Sequence, residues 1–147
     1  MKINLGSGNK KIEGFLGVDT SLQSAVDILA SATALPFKSS SISEVISRHL
    51  VEHLSPSEAE SVFRETSRVL YPGKKFQFKI DRDWTKKRLL RKDPTHKHRY
   101  SLREIQSLVE RASLIIENPQ TFRSIFRISR FRVIFTNKIV ISGRKPS

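Results

Sequence analysis

Two glycines two residues apart in a turn, Gly6-Ser7-Gly8, follow the apolar run Lys2–Leu5, and Asp19 closes the next apolar run, Gly14–Asp19. Glycine permits positive φ and close approach of backbone to a ligand, so a Gly-x-Gly turn at the end of a strand suits a binding loop. A carboxylate at the end of the neighbouring strand can accept both hydroxyls of a ribose, and ligands of parallel α/β sheets bind beyond the strand carboxyl ends. The spacing is also restrictive. Asp19 lies eleven residues past Gly8, which leaves no room for a long helix between the first two strands. A dinucleotide fold needs that helix to hold a pyrophosphate at its N-terminus. The third glycine of that pattern is missing as well. The turn therefore disfavours NAD and favours a nucleoside cofactor without phosphates.

Downstream, strands are expected at Val26–Ala30, Glu44–Ser47, Phe76–Ile80, Leu114–Ile116 and Lys138–Ser142. Ser55-Pro56-Ser57-Glu58 starts a helix with an N-cap, a proline at the first position and a capping-box acid. Ala59, Val62, Phe63, Thr66, Val69 and Leu70 continue it at helical spacing, and Pro72-Gly73 is expected to end it. Ser101-Leu102-Arg103-Glu104 repeats the capping signal before Ile105, Leu108, Val109 and Ala112. Strands alternating with helices imply an α/β fold with a mainly parallel sheet. With 147 residues and no internal repeat or linker, a single domain over 1–147 is expected.

The gaps between the first three strands are too short for crossover helices, so one sheet face lacks its usual cover. Parallel sheets rarely leave a face in water. The late stretch 120–137 is rich in Phe, Ile and Arg and has no acid. It is expected to cover that face, with 122–130 as an amphipathic helix, or else a second copy of the chain does so as a homodimer. A membrane-surface helix fits the same pattern.

The order of Ile3-Asn4-Leu5-Gly6-Ser7-Gly8, Phe15-Leu16-Gly17-Val18-Asp19, Ala34-Leu35-Pro36-Phe37, Ser47-Arg48-His49-Leu50-Val51-Glu52-His53-Leu54 and Glu65-Thr66-Ser67-Arg68-Val69-Leu70-Tyr71-Pro72-Gly73 resembles a class I S-adenosylmethionine-dependent methyltransferase. It is most similar to the small type-11 branch, over about residues 2–116. The resemblance implies a Rossmann-like sheet, mainly parallel with an antiparallel last strand and with reduced helices on one face. It implies S-adenosylmethionine as cofactor and S-adenosylhomocysteine as product. Leu5, Gly6, Ser7 and Gly8 match the loop around the methionine and ribose, and Asp19 matches the ribose acid. Ser31-Ala32 stands where the family has Asp-Ala at the adenine. Exchanging that carboxylate for a hydroxyl weakens cofactor binding by about 1 kcal/mol, the worth of a typical hydrogen bond. Arg48 and His49 match positions beside the transferable methyl, and Asn4 stands where many members carry an acid.

Methyl transfer is an in-line displacement from a sulfonium, so alignment of donor and acceptor supplies much of the catalysis. A base is needed only when the acceptor must lose a proton. The catalytic candidates are His49, His96 and Tyr100. His53 reads as a capping or packing residue. Asp93-Pro94-Thr95-His96-Lys97-His98-Arg99-Tyr100-Ser101 follows the fifth strand and resembles the family's acceptor-binding stretch. Two histidines alone are too few ligands for a structural metal site, so no metal is expected.

The net charge is +13, and the whole excess sits in 74–147, densest in Trp84-Thr85-Lys86-Lys87-Arg88-Leu89-Leu90-Arg91-Lys92. That points to nucleic acid or another polyanion as a partner, or to a solvated basic surface. The acceptor stays open among a small molecule, a saccharide and nucleic acid. A non-catalytic basic binding module on the same fold is the alternative. The chain has no cysteine, which excludes disulfides and thiolate chemistry. The opening residues lack an apolar leader and no 18-residue apolar run exists, so a cytoplasmic protein without a transmembrane segment is expected.

Overall fold

A computed structural model describes residues 1–81, 94–128 and 131–147, with side chains described outside 122–137. The basic run at 84–92 lies outside the described residues. The chain forms one seven-stranded sheet in the order β3-β2-β1-β4-β5-β7-β6. The strands are β1 (Lys2–Leu5), β2 (Leu16–Asp19), β3 (Ile28–Leu29), β4 (Ile42–Arg48), β5 (Leu70–Asp81), β6 (Ile115–Ile128) and β7 (Phe131–Arg144). β1 to β5 pair in parallel, and β7 runs antiparallel to both β5 and β6. The mainly parallel sheet with a reversed last strand is therefore present.

Helix α1 (Pro56–Val69) connects β4 to β5, and α2 (Leu102–Arg111) precedes β6. Both open with the capping box read from the sequence: Ser55 accepts from the Glu58 N–H at 3.3 Å, and Ser101 from the Glu104 N–H at 3.2 Å. α1 stops at Val69, before Pro72-Gly73 rather than at them. Leu70 is already extended (φ −64°, ψ 137°) and pairs with Ile42 in the sheet. The residue before a proline also disfavours helical geometry, so the last turn cannot reach Pro72. Among the described residues no helix lies between β1 and β2, between β2 and β3, or between β3 and β4.

The two faces of the sheet differ in composition. Partners in register share a face, since side chains alternate along a strand. One face carries Ile3, Leu5, Val18, Val45, Phe76, Phe78, Ile80, Ile139 and Ile141, all buried, and both helices add Ala59, Val62, Phe63, Ile105, Leu108 and Val109 to the same core. The other face carries Lys2, Asn4, Gly17, Glu44, Ile46, Lys75, Gln77, Lys79, Ser142 and Arg144. Lys2 pairs with Glu44 at 2.8 Å on it, and Arg144 with Glu117 at 2.8 Å. The helix-poor face is thus mainly polar, with Ile46 and Val140 as apolar exceptions, and the cover anticipated from an apolar surplus is little demanded by it.

The late apolar stretch is also not a helix. It forms β6 and β7, a hairpin that continues the sheet, with Ile128 opposite Phe131. The helix expected over 122–130 is strand up to Ile128. The short strands expected at Leu114–Ile116 and Lys138–Ser142 are segments of these fourteen-residue strands.

Candidate functional site

The glycine loop sits at the carboxyl end of β1. Gly6 (φ +68°) and Gly8 (φ +50°) both occupy the left-handed region. The N–H groups of Gly6 and Ser7 both bond the Val18 carbonyl, at 2.9 and 3.3 Å, which ties the loop to β2. A methyl group on Gly6 would come within 3.0 Å of Leu50 Cβ, whereas nothing lies within 4 Å of the corresponding point on Gly8. The loop is therefore packed on one side and open on the other. A Cβ on Gly17 would lie 1.9 Å from the Ala25 carbonyl oxygen and 2.7 Å from Ser7 Oγ. Ser7 thus turns its hydroxyl back over Gly17, where it is buried without a hydrogen-bond partner among the described residues.

Asp19 faces the loop. Its Oδ2 accepts the Gly8 N–H at 2.9 Å and its Oδ1 the Ser21 N–H at 3.2 Å. Each carboxylate oxygen keeps lone-pair capacity for a further donor. Asp27, one strand over, accepts the Gly17 N–H at 2.7 Å and the Lys11 ammonium at 2.6 Å. The Lys11 contact, with the Gly17 N–H, holds its carboxyl below the ordinary carboxylate value. Asp27 braces the turn beneath the loop, a role that the sequence reading did not assign.

Ser31 does not stand free for a ligand. Its hydroxyl lies 2.7 Å from Thr33 Oγ1 and accepts the Thr33 N–H at 3.2 Å. Ala32 packs against the core. The Leu35-Pro36-Phe37 block is pinned to α1: Glu65 accepts the Leu35 N–H at 2.6 Å, and Arg68 donates to the Leu35 and Phe37 carbonyls. Leu22 and Leu29 are 81% and 63% exposed, and Leu29 pairs with Asp19 across β2 and β3. Apolar exposure beside Asp19 is a feature that sequence spacing did not reveal.

At the carboxyl end of β4, Arg48 is exposed and His49 has φ +59°. A left-handed conformation at a non-glycine residue is a local cost that surrounding contacts must hold in place. They do so here: the His49 N–H bonds the Lys79 carbonyl at 2.9 Å, and His49 Nδ1 lies 2.8 Å from Asp81 Oδ2 and 3.4 Å from Glu52 Oε1. Glu52 is 1% exposed and accepts the Asp81 N–H at 3.1 Å. Burial pushes its carboxyl above the ordinary value, against the N–H groups and His49, which favour the charged form. Because Leu50 touches Gly6, this His49–Glu52 turn stands directly beside the glycine loop.

The stretch 95–101 docks on the same turn. The Glu52 carbonyl accepts the Lys97 N–H at 3.0 Å, and His53 Nδ1 lies 3.0 Å from Thr95 Oγ1. The His53 and His96 rings meet edge to face at 4.7 Å. His98 Nε2 lies 3.2 Å from Glu104 Oε1. Tyr100 is 1% exposed, and its hydroxyl donates to the Leu54 carbonyl at 2.9 Å. Burial raises its phenol above the ordinary value. A candidate for acceptor chemistry in the sequence, Tyr100 instead anchors α2 in the core, because a buried phenol needs a hydrogen-bond partner and finds one there. The site thus gathers Gly6, Gly8, Asp19, His49, Glu52 and Asp81 at one edge of the sheet.

Residues 12–78 match the family model described as a methyltransferase domain. A putative methyltransferase from Bacillus halodurans superposes with a TM-score of 0.75 at 15% identity, covering 99% of this chain and 92% of that one. This is the class I methyltransferase fold. A Haloferax volcanii putative methyltransferase, solved in complex with the Trm112 methyltransferase activator, superposes at 0.71 with 17% identity, covering 99% and 82%. Burkholderia thailandensis 1,6-didemethyltoxoflavin-N1-methyltransferase, solved with S-adenosylhomocysteine, superposes at 0.72 with 12% identity, covering 99% and 71%. No curated protein matches the chain by sequence. For this methyltransferase fold the residues present suit S-adenosylmethionine: a loop open at Gly8, a carboxylate at Asp19 with spare acceptor capacity, and exposed leucines beside it.

Proposed function

We propose that the chain is a single-domain S-adenosylmethionine-dependent methyltransferase. The observation that carries this reading is the packing of Leu50 on Gly6, which sets the His49 turn against the open glycine loop. The cofactor supplies an electrophilic methyl on a sulfonium. The Gly6–Gly8 backbone, with Leu5 behind it, holds the methionine and ribose portions, and Asp19 accepts the ribose hydroxyls. Leu22 and Leu29 offer apolar area to the adenine, and the hydrogen-bonded Ser31 hydroxyl adds at most a weak contact. Arg48 and His49 line the side from which an acceptor approaches, and the 95–98 stretch closes that side through its bonds to Glu52. The chain's task is alignment, because an in-line displacement gains most from fixed geometry.

The acceptor class we propose is a polar molecule that attacks through oxygen or nitrogen. His49, Asp81 and the exposed Arg48 form a hydrogen-bonding wall at the strand ends, unsuited to an apolar acceptor. Titration of the protein with S-adenosylmethionine and S-adenosylhomocysteine tests the cofactor half. Micromolar binding, weakened at least tenfold by Asp19→Ala, is expected; no binding at millimolar ligand would overturn it.

One observation favours a second reading, a basic module binding a polyanion. Lys75 and Lys79 on the open face, and Arg48 at its end, form no ion pair with another described residue, and the whole chain carries +13. Binding to random RNA that falls steeply with salt, together with absent cofactor binding, is the outcome that would replace the first reading with the second.

A further inference from the structure

We infer that His49, Glu52 and Asp81 form a binding site for one divalent metal ion, held by one imidazole nitrogen and two carboxylate oxygens. Each of the three offers a ligand atom, and these atoms all lie within 4.8 Å of one another. Metal bonds of about 2.1 Å separate neighbouring ligands by roughly 3 Å and opposite ones by roughly 4 Å. The separations of 2.8 and 3.4 Å from His49 Nδ1 to the two carboxylates match the neighbouring arrangement.

The decisive observation is what the internal contacts leave over. His49 engages Asp81 Oδ2 and Glu52 Oε1, and the Asp81 N–H also goes to Glu52 Oε1. Glu52 Oε2 and Asp81 Oδ1 are both buried with no hydrogen-bond partner among the described residues. Glu52 is 1% exposed. A buried carboxylate oxygen without a donor costs free energy, and a second beside it costs more. A protonated His49 offsets the charge but cannot reach the two orphaned oxygens with the hydrogen bond it already makes. A metal ion at the cluster supplies the missing positive charge, and bidentate carboxylates would give the two orphaned oxygens their partner as well. The left-handed backbone at His49, φ +59°, is the local cost of bringing the imidazole to this position.

One nitrogen and two hard oxygen donors suit Mn²⁺ or a neighbouring transition ion better than Mg²⁺ or Ca²⁺, which prefer oxygen alone. Three protein ligands leave positions open for an outside molecule. On the methyltransferase reading, those positions face the acceptor, and a bound hydroxyl would lose its proton more readily. Only this use rests on that reading; ion binding does not. Glu52 is also within ligand range of His53 and His96, the competing set.

The test is titration of the whole chain with MnCl₂ alone, read by loss of the free-ion electron paramagnetic resonance signal. One ion per chain is expected, with affinity reduced at least tenfold in Asp81→Asn and in His49→Ala. Both side chains are 32% exposed, so these variants should fold, which circular dichroism would verify. Glu60→Gln, on α1 and paired with Arg64 and Arg111, controls for carboxylates outside the cluster and should bind as the parent does. No stoichiometric binding at millimolar Mn²⁺ overturns the inference. So does undiminished binding in both variants, or a loss confined to His53→Ala, which would place the ion in the competing set. No S-adenosylmethionine is used, so failure of the cofactor reading and failure of this one are distinguishable.

Discussion

The two faces of the sheet have the same backbone and opposite chemistry. Behind the helices, Phe76, Phe78, Ile80, Ile139 and Ile141 are buried to within 1%. On the other side, the residues between them are Gln77, Lys79, Val140 and Ser142. A parallel sheet ordinarily needs cover on both sides because its strands are apolar on both. Here β5 alternates instead over Phe76–Ile80, and α1 and α2 supply all the α-helix that the described residues place between strands. Alternation, not strand direction, decides whether a face must be covered.

Truncation on the covered side is expected to have the largest effect. Phe78→Ala should cost about 3–5 kcal/mol in urea denaturation, the usual cost of an aromatic core deletion. A small effect there would mean that the helices do not close on the sheet. Gly143→Ala should come next. Its Cβ would lie 1.9 Å from the Ile115 carbonyl oxygen, so β6 and β7 must part, at a cost of about 1–3 kcal/mol. Ser55→Ala should remove about 1 kcal/mol by uncapping α1, the element that covers β4 and β5.

A pH titration adds a smaller contribution from the other helix. The Ser101 hydroxyl and N–H hold the Glu104 carboxyl down at about 2 in the fold, from 4.5. A folded value below the unfolded one gives stability that is present above pH 4.5 and lost as pH falls toward 2. Ser101→Ala should flatten that part of the stability profile. Gln77→Ala on the open face should change stability by less than about 0.5 kcal/mol. A loss as large as that of Ser55→Ala would show that the face is covered after all, and a dimer detected by light scattering would then name the cover.

Much of this was legible locally. Each capping box announced its helix, because the hydroxyl and the acid three positions apart act within one turn. The glycine turn and Asp19 were legible because a strand-end loop is written in a few adjacent residues. Alternation in Phe76–Ile80 was present in the sequence, yet the shortness of the crossovers drew the expectation toward a cover. The β6–β7 hairpin was less readable. Arginines interleaved with apolar residues at 122–130 satisfy both a helical and a strand period, so the periodicity did not discriminate.

The sequence by itself determined the order of elements through α2, the glycine loop and the helix starts, since these follow from backbone preferences over a few neighbours. Tertiary structure alone decided the meeting of His49, Glu52 and Asp81. Asp81 reaches His49 only because β4 and β5 lie side by side, Arg48 opposite Lys79. It also decided that Tyr100 is a core anchor and Ser31 a turn residue, because whether a polar group serves a ligand or the fold depends on which partner packing brings within hydrogen-bond reach.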